Sequence, residues 1–241
     1  MTEQESTVER ALVVTAHPDD VDFGAGGTVA SWTAEGIEVS YCICTDGDAG
    51  GFDPDVPRRD IAGIRRAEQQ AAAKEVGVED VTFLGYPDGR LTITHELRRD
   101  LSRVIRQKRP QRMMIQSPER NWERISASHP DHLAAGEAAI SAVYPDARNP
   151  FAHLDLAGEG LPAWTVDEVW VMGGTAAGPN RSVDVTDTFE RKLAALRAHA
   201  SQTAHLDDLE GRIRERLSLH AAAAGFPEGR LAEPFRVVST R

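Results

Sequence analysis

Two short clusters of histidine and aspartate contain the residues whose types and spacing could support chemistry. Residues 17–20 read His-Pro-Asp-Asp and residues 129–132 read His-Pro-Asp-His, so each cluster places two metal-competent side chains three residues apart. A catalytic zinc site takes three ligands from His, Asp or Glu and keeps a fourth position for water. His17, Asp20 and His132 would meet that requirement. The native metal stays open, because Fe(II) or Mn(II) could also occupy such a site.

The other cluster residues suit the proton transfers of amide hydrolysis. Asp19, next to a ligand, is predicted to act as the general base on a metal-bound water. His129 is predicted to stabilise the oxyanion or to protonate the leaving amine, and Asp131 to hold His129 in orientation. Zinc would polarise the scissile carbonyl and make its water nucleophilic near neutral pH. Either cluster alone would more often be a helix cap or a surface charge, whereas two that share His-Pro-Asp indicate a metal site.

Strands that alternate with helices must position these clusters. The continuous apolar run at residues 11–16 predicts a strand that is buried on both faces. Further strands are predicted by similar runs at residues 37–44, 81–84, 112–116, 166–172 and 235–238. Helical patterns are found at residues 28–34, 58–75, 97–107, 133–143 and 205–224, and in a segment opened by a capping box of Asp187 and Glu190.

This alternation predicts one α/β domain over residues 1–241, with residues 1–10 flexible. The expected architecture is a mostly parallel, Rossmann-like sheet with helices on both faces. Ligands of such folds bind at the carboxyl ends of the strands. His17 follows the first predicted strand and His129 follows the fourth, so both clusters could face one crevice.

Charge and hydropathy exclude several classes of partner. The formal net charge of −11 disfavours nucleic acid and anionic membranes, which recruit a surplus of Lys and Arg. Apolar runs are too short for membrane insertion, and the N-terminus does not resemble a secretory signal. Cys42 and Cys44 are predicted to be buried thiols, which fits a cytoplasmic protein. The expected partner is a small molecule, and a homo-oligomer stays open.

Residues 16–20 (Ala-His-Pro-Asp-Asp), paired with residues 129–132, resemble the motifs of the LmbE-like or PIG-L family of zinc-dependent N-deacetylases. This family includes N-acetylglucosaminyl-phosphatidylinositol de-N-acetylases, the deacetylases and amidases of mycothiol and bacillithiol metabolism, and glycopeptide-antibiotic sugar deacetylases. Weaker matches extend the resemblance over most of the chain, at residues 24–28, 45–48, 65–68, 83–89 and 199–202.

The resemblance implies the same roles for the six cluster residues: zinc on His17, Asp20 and His132, Asp19 as base, and His129 with Asp131 at the tetrahedral intermediate. By position, it also implies that Arg65, Asp88 and His199 bind substrate. Two departures concern the surroundings of the clusters. Many members have Glu after the double Asp, where this chain has Val21 and then Asp22, and some sugar-thiol deacetylases have Tyr where this chain has Ala127.

The sequence therefore predicts a metal-dependent hydrolase that removes an acetyl group from the amide nitrogen of a small polar compound, with an N-acetylglucosamine conjugate as the favoured substrate. One alternative is an amidase of a thiol conjugate with the same zinc core. A non-catalytic α/β binding module is the other alternative, and Asp19 argues against it because metal binding alone needs no free carboxylate beside the ligands.

Overall fold

The computed structural model describes residues 8–125 and 128–241, and its strands form one seven-stranded sheet. The strands are β1 (Arg10–Thr15), β2 (Glu38–Thr45), β3 (Asp80–Tyr86), β4 (Arg112–Gln116), β5 (Glu168–Met172), β6 (Arg181–Asp184) and β7 (Ala232–Ser239). Their order in the sheet is β3-β2-β1-β4-β5-β7-β6. Strands β1 to β5 run parallel, whereas β7 is antiparallel to both β5 and β6.

Helices connect and cover the strands. They are α1 (Asp20–Ala34), α2 (Arg58–Glu75), α3 (His95–Lys108), α4 (Pro130–Ser141), α5 (Leu154–Gly158), α6 (Phe189–Ala198), α7 (Ala200–Thr203) and α8 (Leu209–Ala223). In the described parts of the chain, we find no helix with both the length and the apolar character needed to cross a membrane.

Side chains of β1 divide between two apolar layers. Leu12 and Val14 pack into one core cluster with residues of α3 and α4, while Ala11 and Val13 pack into another with residues of α1 and α2. A strand that is buried on both faces reads as a continuous apolar run, as this segment does. The prediction of a mostly parallel sheet with helices on both faces is confirmed.

Several predicted elements have different bounds in the structure. Helix α1 begins at Asp20, inside the first cluster, rather than near residue 28. The last long helix begins at Leu209 after its N-cap Asp208, because the Asp208 carboxylate accepts a hydrogen bond from the Gly211 N–H. The prediction of a capping box at Asp187 was wrong, because the N-cap residue of α6 is Thr188.

Two further differences concern chain ends and edges. Arg10 was expected to be flexible but is the first residue of β1, where it pairs with Glu38; residues 1–7 lie outside the described residues. The edge strand β6 had no predicted counterpart because its four residues alternate too briefly to register as a pattern. Cys42 and Cys44 are buried free thiols, as predicted.

A fully buried ion pair joins the helices to the antiparallel end of the sheet. The Lys192 ammonium lies 2.8 Å from the Glu233 carboxylate, and both side chains are at most 1% exposed. Glu233 also accepts hydrogen bonds from the Gly27 N–H and from the N–H and hydroxyl of Thr28. Lys192 donates in addition to the carbonyl of Asp22 in the first turn of α1. The pair therefore fixes α1, which carries a predicted metal ligand.

We expect Lys192→Met to lower the free energy of unfolding by about 3–5 kcal/mol, because it leaves the Glu233 carboxylate buried without its counter-ion. Urea unfolding measures the change. Arg197→Met is the matched control, since the Arg197–Glu210 pair is 60% and 42% exposed and exposed pairs contribute at most about 1 kcal/mol. Equal losses of unfolding free energy in the two variants would contradict the stabilising role of the Lys192–Glu233 pair.

Candidate metal and catalytic site

The first cluster is positioned by hydrogen bonds between neighbouring strands. The Ala16 N–H donates to the Gln116 side chain (2.8 Å), and the Ala16 carbonyl accepts from the Thr45 N–H (2.8 Å). These bonds join the carboxyl end of β1 to the ends of β4 and β2. His17, the next residue, therefore leaves the sheet at a fixed point, and its side chain is buried.

Three predicted metal ligands converge at this edge of the sheet. His17 Nδ1 lies 3.2 Å from His132 Nε2 and 3.4 Å from Asp20 Oδ2, and His132 Nε2 lies 3.0 Å from Asp20 Oδ1. One ring nitrogen from each of His17, His129 and His132 also lies within 4.8 Å of the other two. Two imidazole nitrogens and a carboxylate form a donor set that suits zinc, so the residues present fit the expected ion.

The second nitrogen of His17 is held by two carboxylates. His17 Nε2 lies 3.0 Å from Asp88 Oδ1 and 3.3 Å from Asp131 Oδ2. Burial alone would lower the pKa of His17, but hydrogen bonds with Asp131, Asp20 and Asp88 outweigh burial and raise this pKa to about 12. The carboxylates around His17 therefore stabilise positive charge, whether on the protonated ring or on a bound metal ion. A carboxylate on the outer nitrogen of a metal-binding histidine fixes the ring and its tautomer.

Both supporting carboxylates are themselves anchored by loop backbone. Asp131 accepts hydrogen bonds from the N–H groups of Gly89 (2.7 Å) and Leu91 (3.2 Å). Asp88 accepts from the Ala49 N–H at 3.1 Å. The loops after β2 and β3 are thus connected to His17 through these two side chains.

His129 is the N-cap residue of α4 and is exposed. Asp131 was predicted to hold His129 in orientation, and its carboxylate is directed at His17 and at two backbone N–H groups. The Asp131 backbone N–H orients the ring instead, by donating to His129 Nδ1 at 3.2 Å. Partial desolvation of the ring, together with the nearby His17 and His132, lowers the pKa of His129.

Asp19 lies beside the ligands in a left-handed backbone conformation, with φ at 89°. Such a conformation costs a residue other than glycine about 1–3 kcal/mol and is typical of functional sites. The Arg65 guanidinium contacts the Asp19 carboxylate at 3.0 Å. Burial and the like charge of Asp20 outweigh the opposing effect of Arg65 and raise the pKa of Asp19 to about 7.

The three residues expected to bind substrate are all buried. Arg65 donates to the carbonyls of Pro18 (2.6 Å) and Gly47 (3.2 Å) besides contacting Asp19. The Asp88 carboxylate contacts His17 Nε2. His199 is 0% exposed and lies 2.8 Å from Asp22. The prediction that His199 contacts the substrate is therefore wrong, because this histidine lies in the protein interior and supports the site from there.

Sequence reasoning missed Gln69, which accepts a hydrogen bond from the Asp19 N–H at 2.8 Å. Gln69 follows Arg65 by four residues, and residues at this spacing share one face of a helix. That spacing on the predicted helix at residues 58–75 is the signal that could have found it. Ala127, where some sugar-thiol deacetylases have Tyr, lies outside the described residues.

A mostly parallel sheet with a histidine–aspartate cluster at its carboxyl edge defines an α/β protein of the LmbE-like class. The sequence model of the PIG-L family, described as GlcNAc-PI de-N-acetylase, matches residues 12–143, more than half of the chain. The chain belongs to this family of deacetylases, as its motifs indicate.

Named relatives of the chain act on N-acetylglucosamine compounds. It is 35% identical over 195 residues to the diacetylchitobiose deacetylase of Thermococcus kodakarensis, covering 81% of this chain and 70% of that one. It is 32% identical over 213 residues to a probable N-acetyl-alpha-D-glucosaminyl L-malate deacetylase 2 of Bacillus cereus, covering 85% of this chain and 89% of that one. The solved N,N'-diacetylchitobiose deacetylase of Pyrococcus horikoshii, complexed with its inhibitor MPG, superposes with a TM-score of 0.87 at 31% identity, covering 97% and 85%.

We expect Asp88→Asn to weaken zinc binding about 10- to 100-fold, because a neutral amide supports the His17 ring less well than a carboxylate does. Competition with a chromogenic chelator measures the affinity. Asp53→Asn, the same substitution at an exposed position of the loop after β2, is the control. Unchanged zinc affinity in Asp88→Asn would show that this contact does not support the ligand.

Proposed function

We propose that this protein hydrolyses the acetamide of an N-acetylglucosamine conjugate to acetate and a free amine, with a zinc ion held by His17, Asp20 and His132. One observation carries the proposal: these three side chains converge at distances of 3.0–3.4 Å. Asp19 precedes Asp20 in the chain and interacts electrostatically with both Asp20 and His17. The relatives, which are named as deacetylases of N-acetylglucosamine compounds, support the substrate class.

Proton abstraction is assigned to Asp19. When bound, zinc polarises the scissile carbonyl and provides a water that is nucleophilic near neutral pH. A base is most effective when its pKa is close to the working pH, and the pKa of Asp19 is raised to about 7. The Arg65 guanidinium holds the carboxylate in place while leaving its second oxygen to accept the proton.

His129 is assigned to the developing oxyanion. Because His129 Nδ1 accepts the Asp131 N–H, the neutral ring carries its proton on Nε2. The low pKa of His129 keeps the ring neutral, and an N–H donor remains available to a substrate oxygen. Donation of the Nε2 proton to the leaving amine would leave an imidazolate, so this tautomer favours the oxyanion role of the two that the sequence left open. The proton that Asp19 takes from water is then the one that passes to the leaving amine.

None of the six cluster residues lines the cavity of about 590 Å³ that borders α1, but a conjugate whose acetamide reaches the cluster could extend into it. Phe23 and Gly24 of α1 form part of its wall. Gly24 follows Asp20 by four residues, a rise of about 6 Å along a helix. Arg124, Arg216 and Arg236 also line the cavity, so neutral and acidic conjugates should be compared as substrates.

The alternatives share this geometry and differ in what the site does. An amidase of a thiol conjugate would use the same ligands and base on a larger acyl group. A binding module would hold the ion without needing Asp19 in its strained conformation. Fe(II) or Mn(II) could replace zinc on the same ligands. The proposed partner is a small molecule in the cytoplasm.

We expect the purified protein to bind about one zinc ion per chain and to release a primary amine from N-acetylglucosamine conjugates. Metal analysis and a fluorescamine assay on neutral and acidic conjugates measure both quantities. A chain that binds zinc but releases amine from none of the conjugates would contradict the deacetylase proposal, and release from a thiol-conjugate amide alone would favour the amidase.

We expect Asp19→Asn to lower kcat about 10²- to 10⁴-fold and to leave the zinc content unchanged, because the amide preserves shape but cannot accept the proton. Steady-state kinetics and metal analysis on the same preparation separate the two effects. Asp60→Asn, an exposed change on α2, should retain full activity. Undiminished turnover in Asp19→Asn would reject this residue as the base.

A further inference from the structure

The strained backbone of Asp19 is held by a side chain from another helix. Its φ of 89° directs the Asp19 N–H to the amide oxygen of Gln69, at 2.8 Å. A buried N–H without a partner is costly, so this bond stabilises the left-handed conformation over the relaxed one. The backbone at Asp19 in turn determines where its carboxylate lies.

Helix α2 contacts Asp19 at two points. Arg65 contacts the carboxylate at 3.0 Å, and Gln69, one turn later, contacts the backbone N–H. Residues four apart lie on the same face of a helix. Both side chains are buried, with exposed fractions of 4% and 0%. The helix therefore fixes the backbone and the side chain of Asp19 together.

The orientation of the Gln69 amide is set by a buried carboxylate. Gln69 Nε2 donates to Asp22 Oδ2 at 2.9 Å. A reversed amide would place its oxygen against that carboxylate and its NH₂ group against the Asp19 N–H. Asp22 therefore presents the Gln69 carbonyl to Asp19.

His199 contacts the same carboxylate oxygen of Asp22 that accepts the hydrogen bond from Gln69. His199 Nε2 lies 2.8 Å from Asp22 Oδ2, and both side chains are 0% exposed. His199 is positioned at the junction of α6 and α7. Nearby, the N–H and hydroxyl of Ser201 donate to Glu68 of α2 at 2.7 and 2.6 Å. The chain His199–Asp22–Gln69 thus connects three helices and ends on Asp19.

We propose that Gln69, Asp22 and His199 are positioning residues that hold Asp19 in its left-handed conformation and so place its carboxylate for proton abstraction. This inference rests on the proposed role of Asp19 as base. All three residues are buried and act through the backbone of Asp19 rather than on the substrate. Their loss should therefore lower kcat while KM and zinc content stay near the wild-type values.

Reciprocal exchange of the amide and the carboxylate tests the chain. Gln69→Glu places two carboxylates together, which repel each other without a change in side-chain size. Asp22→Asn removes the charge that orients the Gln69 amide, because the new amide can turn either its oxygen or its NH₂ group toward Gln69. We expect Gln69→Glu to lower kcat about tenfold or more, Asp22→Asn to lower it by less, and the double variant to recover to within about threefold of wild type, because the exchanged pair restores one donor and one acceptor. Gln70→Glu, the same change at the exposed neighbouring position, should match wild type.

A second measurement separates positioning from general destabilisation. In an Asp19→Asn background, where the base is absent, Gln69→Glu should cause no further loss of kcat. If the wild type is active and the single variants keep its kcat, or if the double variant is no better than the poorer single, the positioning role is rejected.

A structural measurement keeps this inference separate from the proposed function. In a crystal structure of Gln69→Leu, we expect φ of Asp19 to become negative. If φ stays near 89°, the positioning role is overturned, whether or not the protein releases amine. An inactive wild type would instead refute the proposed function alone.

Discussion

The candidate site depends on one imidazole that is held at both of its nitrogens. His17 Nδ1 is directed toward Asp20 and His132, while Nε2 is held by Asp88 and Asp131. The supporting carboxylates accept backbone N–H groups from the loops after β2 and β3, so the ring orientation and the paths of those loops are mutually dependent. The three carboxylates around this ring repel one another, and a bound cation would offset that repulsion.

Asp19 depends on the same anchoring but is held in place by a different set of contacts. Asp19 lies between Pro18 and the proposed ligand Asp20, where the chain enters α1, and α2 stabilises this turn through Arg65 and Gln69. The buried Lys192–Glu233 pair fixes α1 against the far end of the sheet. Strain in the backbone of Asp19 is thus compensated by packing and hydrogen bonds elsewhere.

The sequence predicted the sheet and both clusters because those features are local patterns. Continuous apolar runs mark parallel strands that are buried on both faces, and His-Pro-Asp at two strand ends indicates the ligands. The contacts of Asp88, His199 and Gln69 could not be predicted in the same way. They link residues far apart in the chain, such as Asp22 and His199, and burial of a polar side chain depends on tertiary packing that a local pattern does not encode. Resemblance placed His199 near the site but not on its interior side.

The central claim is that His17, Asp20 and His132 bind one zinc ion, and anomalous scattering tests it most directly. Crystals of the protein grown with zinc, measured on both sides of the zinc absorption edge, would locate the ion without reference to activity. The account predicts a single strong anomalous peak between these three side chains. A peak at another position, or none at this site in zinc-saturated crystals, would contradict it.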